Sequence, residues 1–330
     1  MVRDTTETKG MKKIIANLAS YGLWKPQYSS RVSVVLTELS AKRLRIKPEM
    51  YDSLCNDIDI IFMNAAYMNF NKAYENHKPV NVESVREFII LATTGKQKYL
   101  FFTSSLSVFL FPPVGTTSDR RTVYLEQDFL TDPMYLECGY GQSKWAGEHL
   151  VKQALEILPG GAIFRPARIS GRTIDGVGPK DDLFARTVRG IKQLGSYPDI
   201  DFPYDLVPVD FCARAMVEIS LQICKSKSGR YEKVYHLYNR DTIPFKNLFT
   251  GMGLAALPLV DWRKNIGNVD RTNKDLIPLI PFFLSHFWDR ASDWPLFDTT
   301  NVDNTISDGT KLLLRPASEL WKIYKQYFGI

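Results

Sequence analysis

The sequence predicts an α/β fold with a doubly wound parallel sheet, and two kinds of pattern carry this prediction. Residues 58–66 (IDIIFMNAA) and 98–105 (KYLFFTSS) are apolar runs typical of strands that are covered on both faces. Helical periodicity follows each of them, at 80–94 and 141–158. Strands that alternate with helices indicate right-handed βαβ units and a sheet with helices on both sides.

The remaining segments extend this pattern in chain order. A helix is predicted over 5–24 after a threonine-rich cap, and the β-branched segment 31–39 (RVSVVLTEL) predicts a strand. Further predictions are a strand at 161–170, helices at 183–194 and 210–223, and a strand at 233–238. After Pro244 the pattern weakens, so we divide the chain into an α/β domain at 1–240 and a smaller, mostly helical substrate-side region at 241–330.

Composition excludes several classes of function. The 330 residues are 45% hydrophobic, enough for a large core, and the net charge of +6 comes from scattered basic residues without interleaved aromatic residues, so no nucleic-acid partner is expected. The cysteines form no CxxC pair and the histidines are isolated, which predicts reduced thiols, a cytoplasmic location and no metal site. The most apolar stretch, 276–288, is too short for a membrane span and contains two prolines.

Three polar residues are placed for carbonyl chemistry. In a parallel sheet, ligands bind at the carboxyl ends of the strands, where Ser105 ends one predicted strand. Tyr140 and Lys144 are four residues apart and share one helix face. We expect the lysine ammonium to lower the pKa of the phenol. The serine hydroxyl would bind the same substrate oxygen, so the three residues would polarise a carbonyl and protonate its oxygen after hydride delivery.

Spacing alone does not select this pair. The pattern YxxxK occurs three times, at Tyr21/Lys25, Tyr74/Lys78 and Tyr140/Lys144. Only the third follows a strand that ends in a serine and opens a helix. The segment 251–256 (GMGLAA) fits a dinucleotide fingerprint, but it follows a helical stretch and runs into a proline, which indicates a turn.

Eight segments of the chain match the motifs of one protein family in the same order, which makes the resemblance to that family specific. They are VRD at 2–4, YGLW at 21–24, TELS at 37–40, MNAAYMNF at 63–70, NVESVREFIILATTG at 81–95, FTSSLSVF at 102–109, GYGQSKWAGEHLV at 139–151 and FRPARISG at 164–171. Over residues 1–240 the chain resembles the thioester reductase family of extended short-chain dehydrogenases. That family includes terminal reductase domains of nonribosomal peptide synthetases, aminoadipate reductases and carboxylic acid reductases.

The resemblance implies a Rossmann-type fold and NADPH-dependent reduction of an acyl or peptidyl thioester on the phosphopantetheine arm of a carrier protein. Ser105 takes the position of the family's catalytic Ser/Thr, Tyr140 that of the general acid, and Lys144 that of the lysine on the nicotinamide ribose. The remaining implied cofactor contacts are Arg3 at the adenosine 2′-phosphate, Glu38 with Leu39 beside the adenine, and Asn64, Ala65 and Ala66 under the cofactor. Ala167 stands where the family usually has glycine.

Other interpretations stay open for several of these residues. An arginine near a terminus, such as Arg3, is more often simply solvated when the resemblance is left aside. Arg165 and Arg168 would each bind the phosphopantetheine phosphate or form a structural salt bridge. An aromatic stripe near the C-terminus would either fill the core or line an acyl site: Phe282, Phe283, Phe287 and Trp288.

The family's first strand and glycine-rich turn normally precede the VRD segment by roughly thirty residues, one βαβ unit. Here VRD follows Met1 directly. We expect weaker cofactor binding, since each charge-assisted bond to the pyrophosphate contributes about 1.5–3 kcal/mol. We also expect the strands at 31–39 and 58–66 to lack a common neighbour. Three origins are considered: a gene model that begins too late, a fragment of a multidomain synthetase, and a remnant that no longer binds cofactor.

Two classes of function follow from the sequence. The first is a thioester reductase that forms an aldehyde, and an alcohol if a second hydride follows, with a fatty-acyl-CoA reductase as a chemically related alternative. The second is a non-catalytic binding or scaffold module, motivated by the absent phosphate-binding turn.

Overall fold

Four parallel strands form the central sheet of the computed structural model. The structure describes residues 1–109, 122–133, 136, 138–226, 233–286, 288–289 and 294–330. The sheet order is β1-β2-β4-β9, with β1 at Ile60–Met63, β2 at Tyr99–Thr103, β4 at Gly161–Pro166 and β9 at Val234–Leu237. Every residue of β4 is buried. The three central residues of β2 are also buried, as predicted for the apolar run at 98–105.

Helices cover both faces of this sheet. They include α2 (Pro48–Asp57), α4 (Ser84–Thr93), α5 (Gly139–Ala154) and α7 (Val209–Lys225), whereas α6 (Leu183–Leu194) packs in a separate apolar cluster. Leu100 and Phe102 of β2 pack with residues of α4 and α5, whereas Phe101 packs with Phe211 and Ile219 of α7. Successive side chains of a strand point to opposite faces, so one strand contributes to two cores. The predicted doubly wound α/β fold is confirmed.

The helix before the sheet also matches its prediction. Helix α1 spans Glu7–Ser20, and the hydroxyl oxygen of Thr6 accepts a hydrogen bond from the Lys9 N–H over 3.2 Å. A threonine at this position satisfies one of the free N–H groups of the first turn.

The strand predicted at 31–39 is wrong. Residues Pro26–Arg31 form a 3₁₀ helix, and the segment that follows makes one isolated parallel bridge, between Leu36 and Val2. A strand needs a continuous partner, and here the chain turns away after the bridge, where the Glu38 N–H donates to the carbonyl of Leu44. β-branched composition alone therefore did not produce a strand.

Strand β1 lies at the edge of the sheet. Within the described ranges it pairs only with β2, and its alternate side chains Ile60 and Phe62 are 37% and 46% exposed. This agrees with the predicted open edge of the strand at 58–66. The prediction that this strand is covered on both faces is wrong, because the described part of the chain leaves the face that carries Ile60 and Phe62 partly uncovered.

The chain after β9 is mostly helical, as predicted. It contains α8 (Leu259–Gly267), α9 (Ile280–Leu284), α10 (Thr300–Thr305), α11 (Asp308–Lys311), α12 (Ala317–Phe328) and the short strands β10 (Ile243–Pro244), β11 (Ala255–Leu257) and β12 (Leu296–Phe297). The smaller elements before it are α3 (Tyr74–Lys78), β3 (Val123–Tyr124), β5 (Ile169–Ser170), β6 (Ser196–Pro198), β7 (Pro203–Tyr204) and β8 (Val207–Pro208).

One apolar cluster joins residues on either side of position 240. It packs Phe184 and Phe202 against Trp262 and Trp321. The division of the chain at 240 stays a prediction. No helix in the described parts of the chain is long and apolar enough to cross a bilayer.

Candidate active site

The first turn of α5 is held in place by a close backbone contact. A Cβ atom on Gly139 would overlap the backbone N of Tyr74 and the carbonyl carbon of Ala73, and would lie 2.6 Å from the Lys72 carbonyl oxygen. Only glycine allows the two segments to approach this closely. The Cys138 sulfur accepts a hydrogen bond from the Gly141 N–H over 3.3 Å and caps the helix. The position of Tyr140, the second residue of α5, follows from this packing.

Tyr140 is buried and lines the same cavity as Ser105. Burial raises the pKa of the Tyr140 phenol, and interaction with the Ser105 hydroxyl lowers it by a smaller amount. The prediction that Lys144 lowers this pKa is therefore wrong in direction, because desolvation of the phenolate dominates. A raised pKa keeps the phenol protonated at neutral pH, the state that a proton donor needs.

Lys144 is held below the tyrosine by the end of β2. Its Nζ donates to the carbonyl oxygen of Thr103 over 2.7 Å and lies 4.9 Å from the ring centroid of Phe102. The distance from Nζ to the Tyr140 ring centroid is 6.0 Å. Burial lowers the pKa of Lys144 to about 8, while the Glu148 carboxylate raises it.

Asn81 is a positioning residue that sequence reasoning missed. Its Oδ1 accepts the Tyr67 N–H over 2.8 Å, and its Nδ2 donates to the Tyr67 carbonyl over 2.8 Å and to the Ser143 hydroxyl over 2.9 Å. These bonds tie the loop after β1 to α5. The available signal was an amide inside an apolar helical pattern, since a buried amide needs partners of this kind.

A cavity of about 990 Å³ joins the predicted catalytic residues to part of the predicted cofactor loop. Ser105, Tyr140 and Lys144 line it together with Asn64 and Ala66. Much of the remaining wall is aromatic, so the space suits a ligand that has both a reactive polar group and an apolar body.

The other predicted cofactor residues lie outside the cavity wall. Ala65 is exposed in the loop after β1. Arg3 is exposed directly after the Val2 bridge, and Glu38 lies near the same bridge on the opposite segment, where it accepts a hydrogen bond from the Ser40 hydroxyl. Leu39 packs against the core cluster that contains Leu91 and Val151. The structure therefore brings Arg3 and Glu38 together near the Val2–Leu36 bridge, and the predicted catalytic trio together at the cavity wall.

Arg165, within β4, and Arg168, two residues after its end, have different surroundings. Arg165 is fully buried and donates from Nε and Nη2 to the two carboxylate oxygens of Glu148, over 2.9 and 2.7 Å. The structural salt bridge is thus confirmed for Arg165. Arg168 also forms an ion pair, with Asp205, but it lines the cavity.

The aromatic stripe near the C-terminus belongs to the core and also lines the cavity, while its role at an acyl site stays a prediction. Phe283 and Trp288 are buried in the apolar cluster, with Phe282 packed against it, and all three line the cavity. Phe287 lies outside the described residues.

The other two YxxxK pairs and the GxGxxA match are not arranged like Ser105, Tyr140 and Lys144. Tyr21 follows the last residue of α1 and lies outside the cavity wall. Tyr74 begins α3 and reaches the wall, but its Lys78 pairs with Glu83 at 3.9 Å. Gly251 and Gly253 have positive φ angles of 83° and 70° in a turn before β11, so the GxGxxA match is a turn, as predicted.

Comparison with known proteins decides the family. A family model described as male sterility protein matches residues 1–216. The chain belongs to this family. It is 30% identical to the L-2-aminoadipate reductase large subunit of Eremothecium gossypii over 91% of its own length, and 30% identical to a linear gramicidin synthase protein of Brevibacillus parabrevis over 79%. It spans 22% and 5% of the length of those two proteins.

A solved structure agrees with this assignment. The terminal R domain from the myxalamid PKS-NRPS biosynthetic pathway is 30% identical and has a TM-score of 0.86, covering 98% of this chain and 82% of that one. The resemblance to terminal reductase domains is confirmed. The family is of the oxidoreductase type and binds NAD(P).

Proposed function

We propose that this chain is an NADPH-dependent reductase of acyl or peptidyl thioesters carried on a phosphopantetheine arm. The observation that carries the proposal is that Ser105, buried Tyr140 and buried Lys144 meet at the wall of one large cavity. The net reaction joins a hydride and a proton to the thioester and yields an aldehyde and a free thiol. A second hydride and proton would give the alcohol.

The three residues have separate tasks in this reaction. The Tyr140 phenol, kept protonated by burial, donates its proton to the carbonyl oxygen on which charge develops. The Ser105 hydroxyl donates a hydrogen bond to the same oxygen and stabilises that charge. The Lys144 ammonium, anchored by the Thr103 carbonyl, holds positive charge under the phenol and near the ribose hydroxyls.

The cavity residues fit the nicotinamide end of NADPH, which supplies the hydride when it is bound. Asn64 and Ala66 follow the carboxyl end of β1, where small side chains let a ligand approach the backbone. At the Val2–Leu36 bridge, the exposed guanidinium of Arg3 fits a 2′-phosphate, and Glu38 fits the adenosine end.

The carrier-protein partner is supported by the relatives. One is part of a linear gramicidin synthase and another is a terminal R domain of a PKS-NRPS pathway. We infer that the acyl group reaches this chain on such a carrier. Equal turnover of the same acyl group as a free CoA ester would instead favour a fatty-acyl-CoA reductase.

The test is NADPH consumption by the purified chain with an acyl group loaded on a carrier protein. Tyr140→Phe should lower turnover by about 100- to 10,000-fold, the usual contribution of a general acid. Its affinity for NADPH, measured by fluorescence titration, should stay close to that of the parent. The matched control is Tyr21→Phe, at an unrelated YxxxK match outside the cavity wall.

Two outcomes contradict the proposal. Near-normal turnover in Tyr140→Phe removes the assigned acid. Absence of NADPH binding at millimolar concentration by the parent chain leaves the non-catalytic binding module as the function of this polypeptide.

A further inference from the structure

Arg168 presents a guanidinium to the cavity from within an aromatic enclosure. It follows β4 by two residues, and its Cζ lies 4.9 Å from the ring centroid of Phe202, 4.4 Å from that of Tyr204 and 4.8 Å from that of Trp294. Rings at these distances hold the planar group in one orientation and remove water from around it. A side chain fixed in this way is suited to reading one position of a ligand.

The guanidinium is only partly used by the protein. Nη2 is paired with the buried carboxylate of Asp205 and also donates to the Pro203 carbonyl over 3.2 Å. The Nε is buried without a hydrogen-bond partner among the residues that the structure describes. The side chain is 20% exposed, and it lines the same cavity as Tyr140. Arg168 therefore lines the cavity with donor capacity beyond its bonds to Asp205 and Pro203.

The charges around the cavity favour a neutral ligand group over an anion. The carboxylate of Asp205 offsets the charge of Arg168 directly. The charged residues of the described wall comprise three cations and three carboxylates: Lys72, Lys144, Arg168, Glu75, Asp182 and Asp205. An incoming carboxylate would have to displace Asp205 or sit beside it, whereas a carbonyl oxygen accepts a hydrogen bond without adding charge.

We propose that Arg168 determines acyl specificity by donating a hydrogen bond to a neutral amide carbonyl oxygen within the acyl group. The inference rests on the proposed function and narrows its substrate class to acyl groups that carry an amide on an apolar or aromatic body. The pantetheine arm contains amide carbonyls of the same chemistry. We assign the hydrogen bond of Arg168 to an amide of the acyl group and not to one of the pantetheine arm. Ligands that differ only at the acyl end distinguish these two positions.

The test uses equilibrium binding, so it does not depend on turnover or cofactor. Three N-acetylcysteamine thioesters of equal length share an apolar chain and end in a carboxamide, a carboxylate or a branched hydrocarbon of the same shape. Calorimetric titration of the parent chain should give the carboxamide about tenfold tighter binding than either analogue, as expected for one hydrogen bond to a charged donor. Arg168→Lys, which loses the planar fork, should reduce that preference to about twofold or less.

The matched control is Arg172→Lys. Arg172 also pairs with a nearby carboxylate, that of Asp175, but it lies outside the cavity wall. This variant should keep the parent preference. A second variant protects the test against misfolding of Arg168→Lys. Asp205→Asn leaves the guanidinium uncompensated and should shift the preference toward the carboxylate.

Four results overturn the proposal. They are tightest binding of the carboxylate by the parent, equal weakening of all three ligands in Arg168→Lys, an unchanged preference in both variants, and no saturable binding of any ligand. Equal weakening would assign Arg168 to the arm. A parent chain that prefers the carboxamide but does not consume NADPH would contradict the proposed function and leave the role of Arg168 standing. Failure of the proposed function can therefore be told apart from failure of the Arg168 proposal.

Discussion

Lys144 donates a hydrogen bond from Nζ to the carbonyl oxygen of Thr103 over 2.7 Å, which fixes the ammonium at the carboxyl end of β2. Burial lowers the pKa of this lysine to about 8, so its charge is lost just above neutral pH.

The first prediction is a basic limb in the pH profile of kcat/KM. Activity that needs the Lys144 ammonium should fall as pH rises through about 8, where the buried amine loses its proton. In Lys144→Arg the residual activity should show no such limb below pH ~10, because a guanidinium stays charged. The measurement is kcat/KM for NADPH-dependent reduction from pH 6 to about 10. A limb unchanged in Lys144→Arg would assign it to another group.

The second prediction concerns Glu126, a buried carboxylate outside the cavity wall. Both oxygens of Glu126 accept backbone N–H groups, from His236 and from Asn301. Burial raises the pKa of Glu126 to about 7 and lowers that of His236 to about 3, with Arg165 lowering the latter further. Because Glu126 has its folded pKa raised, its contribution to stability is present at low pH and is lost as pH rises to about 7.

His236 has the opposite sign, since its depressed folded pKa makes the protein less stable as pH falls below 6.5. The two effects offset each other between about pH 4.5 and 6.5. Glu126→Gln should expose the histidine effect alone, with the free energy of unfolding falling by about 1.4 kcal/mol per pH unit below pH ~6.5. Urea unfolding at several pH values measures this, with Glu49→Gln, at an exposed glutamate, as control. If the free energy of unfolding depends on pH in the same way in the parent and in Glu126→Gln, the offsetting role of Glu126 is contradicted.

The third prediction tests the buried pair of Arg165 and Glu148. Arg165→Met leaves the Glu148 carboxylate buried without its partner, so the free energy of unfolding should drop by about 3–5 kcal/mol. The double variant Arg165→Met/Glu148→Leu should recover much of that loss, because no isolated charge remains. A double-mutant cycle by chemical denaturation gives the coupling. Additive effects of the two substitutions would show that the pair is not coupled.

The fourth prediction concerns the approach of α5 to the start of α3. Gly139→Ala places a methyl group in the space of backbone atoms at Ala73 and Tyr74, which must move apart. Stability should fall by about 1–3 kcal/mol, and turnover should fall with it as Tyr140 shifts. Gly267→Ala is the matched control, since nothing lies within 4 Å of a Cβ there. Thermal unfolding and NADPH consumption check both variants. A Gly139→Ala protein as stable and active as Gly267→Ala would contradict the packing argument.

Local patterns were sufficient for the helices and strands of the sheet. The apolar runs at 58–66 and 98–105 became β1 and β2, and the periodicity at 183–194 became α6 with the same bounds. Periodicity reports which side chains are buried, and burial against a neighbouring layer is what forms these elements. The strand predicted at 31–39 was wrong. A strand forms only where a partner strand pairs with it, and the composition of a segment does not show that this one has a single bridge, to Val2.

The sequence by itself determined the family, since the motifs occur in a fixed order along the chain, and the same order is why we propose Tyr140 rather than two equally spaced tyrosines. Only the tertiary structure decided which charges are compensated. Arg165 is a structural residue because Glu148 reaches it from α5, and the pKa of Tyr140 rises because the chain folds around the phenol. Burial and pairing depend on distances between residues far apart in the chain, and a one-dimensional pattern does not carry those distances.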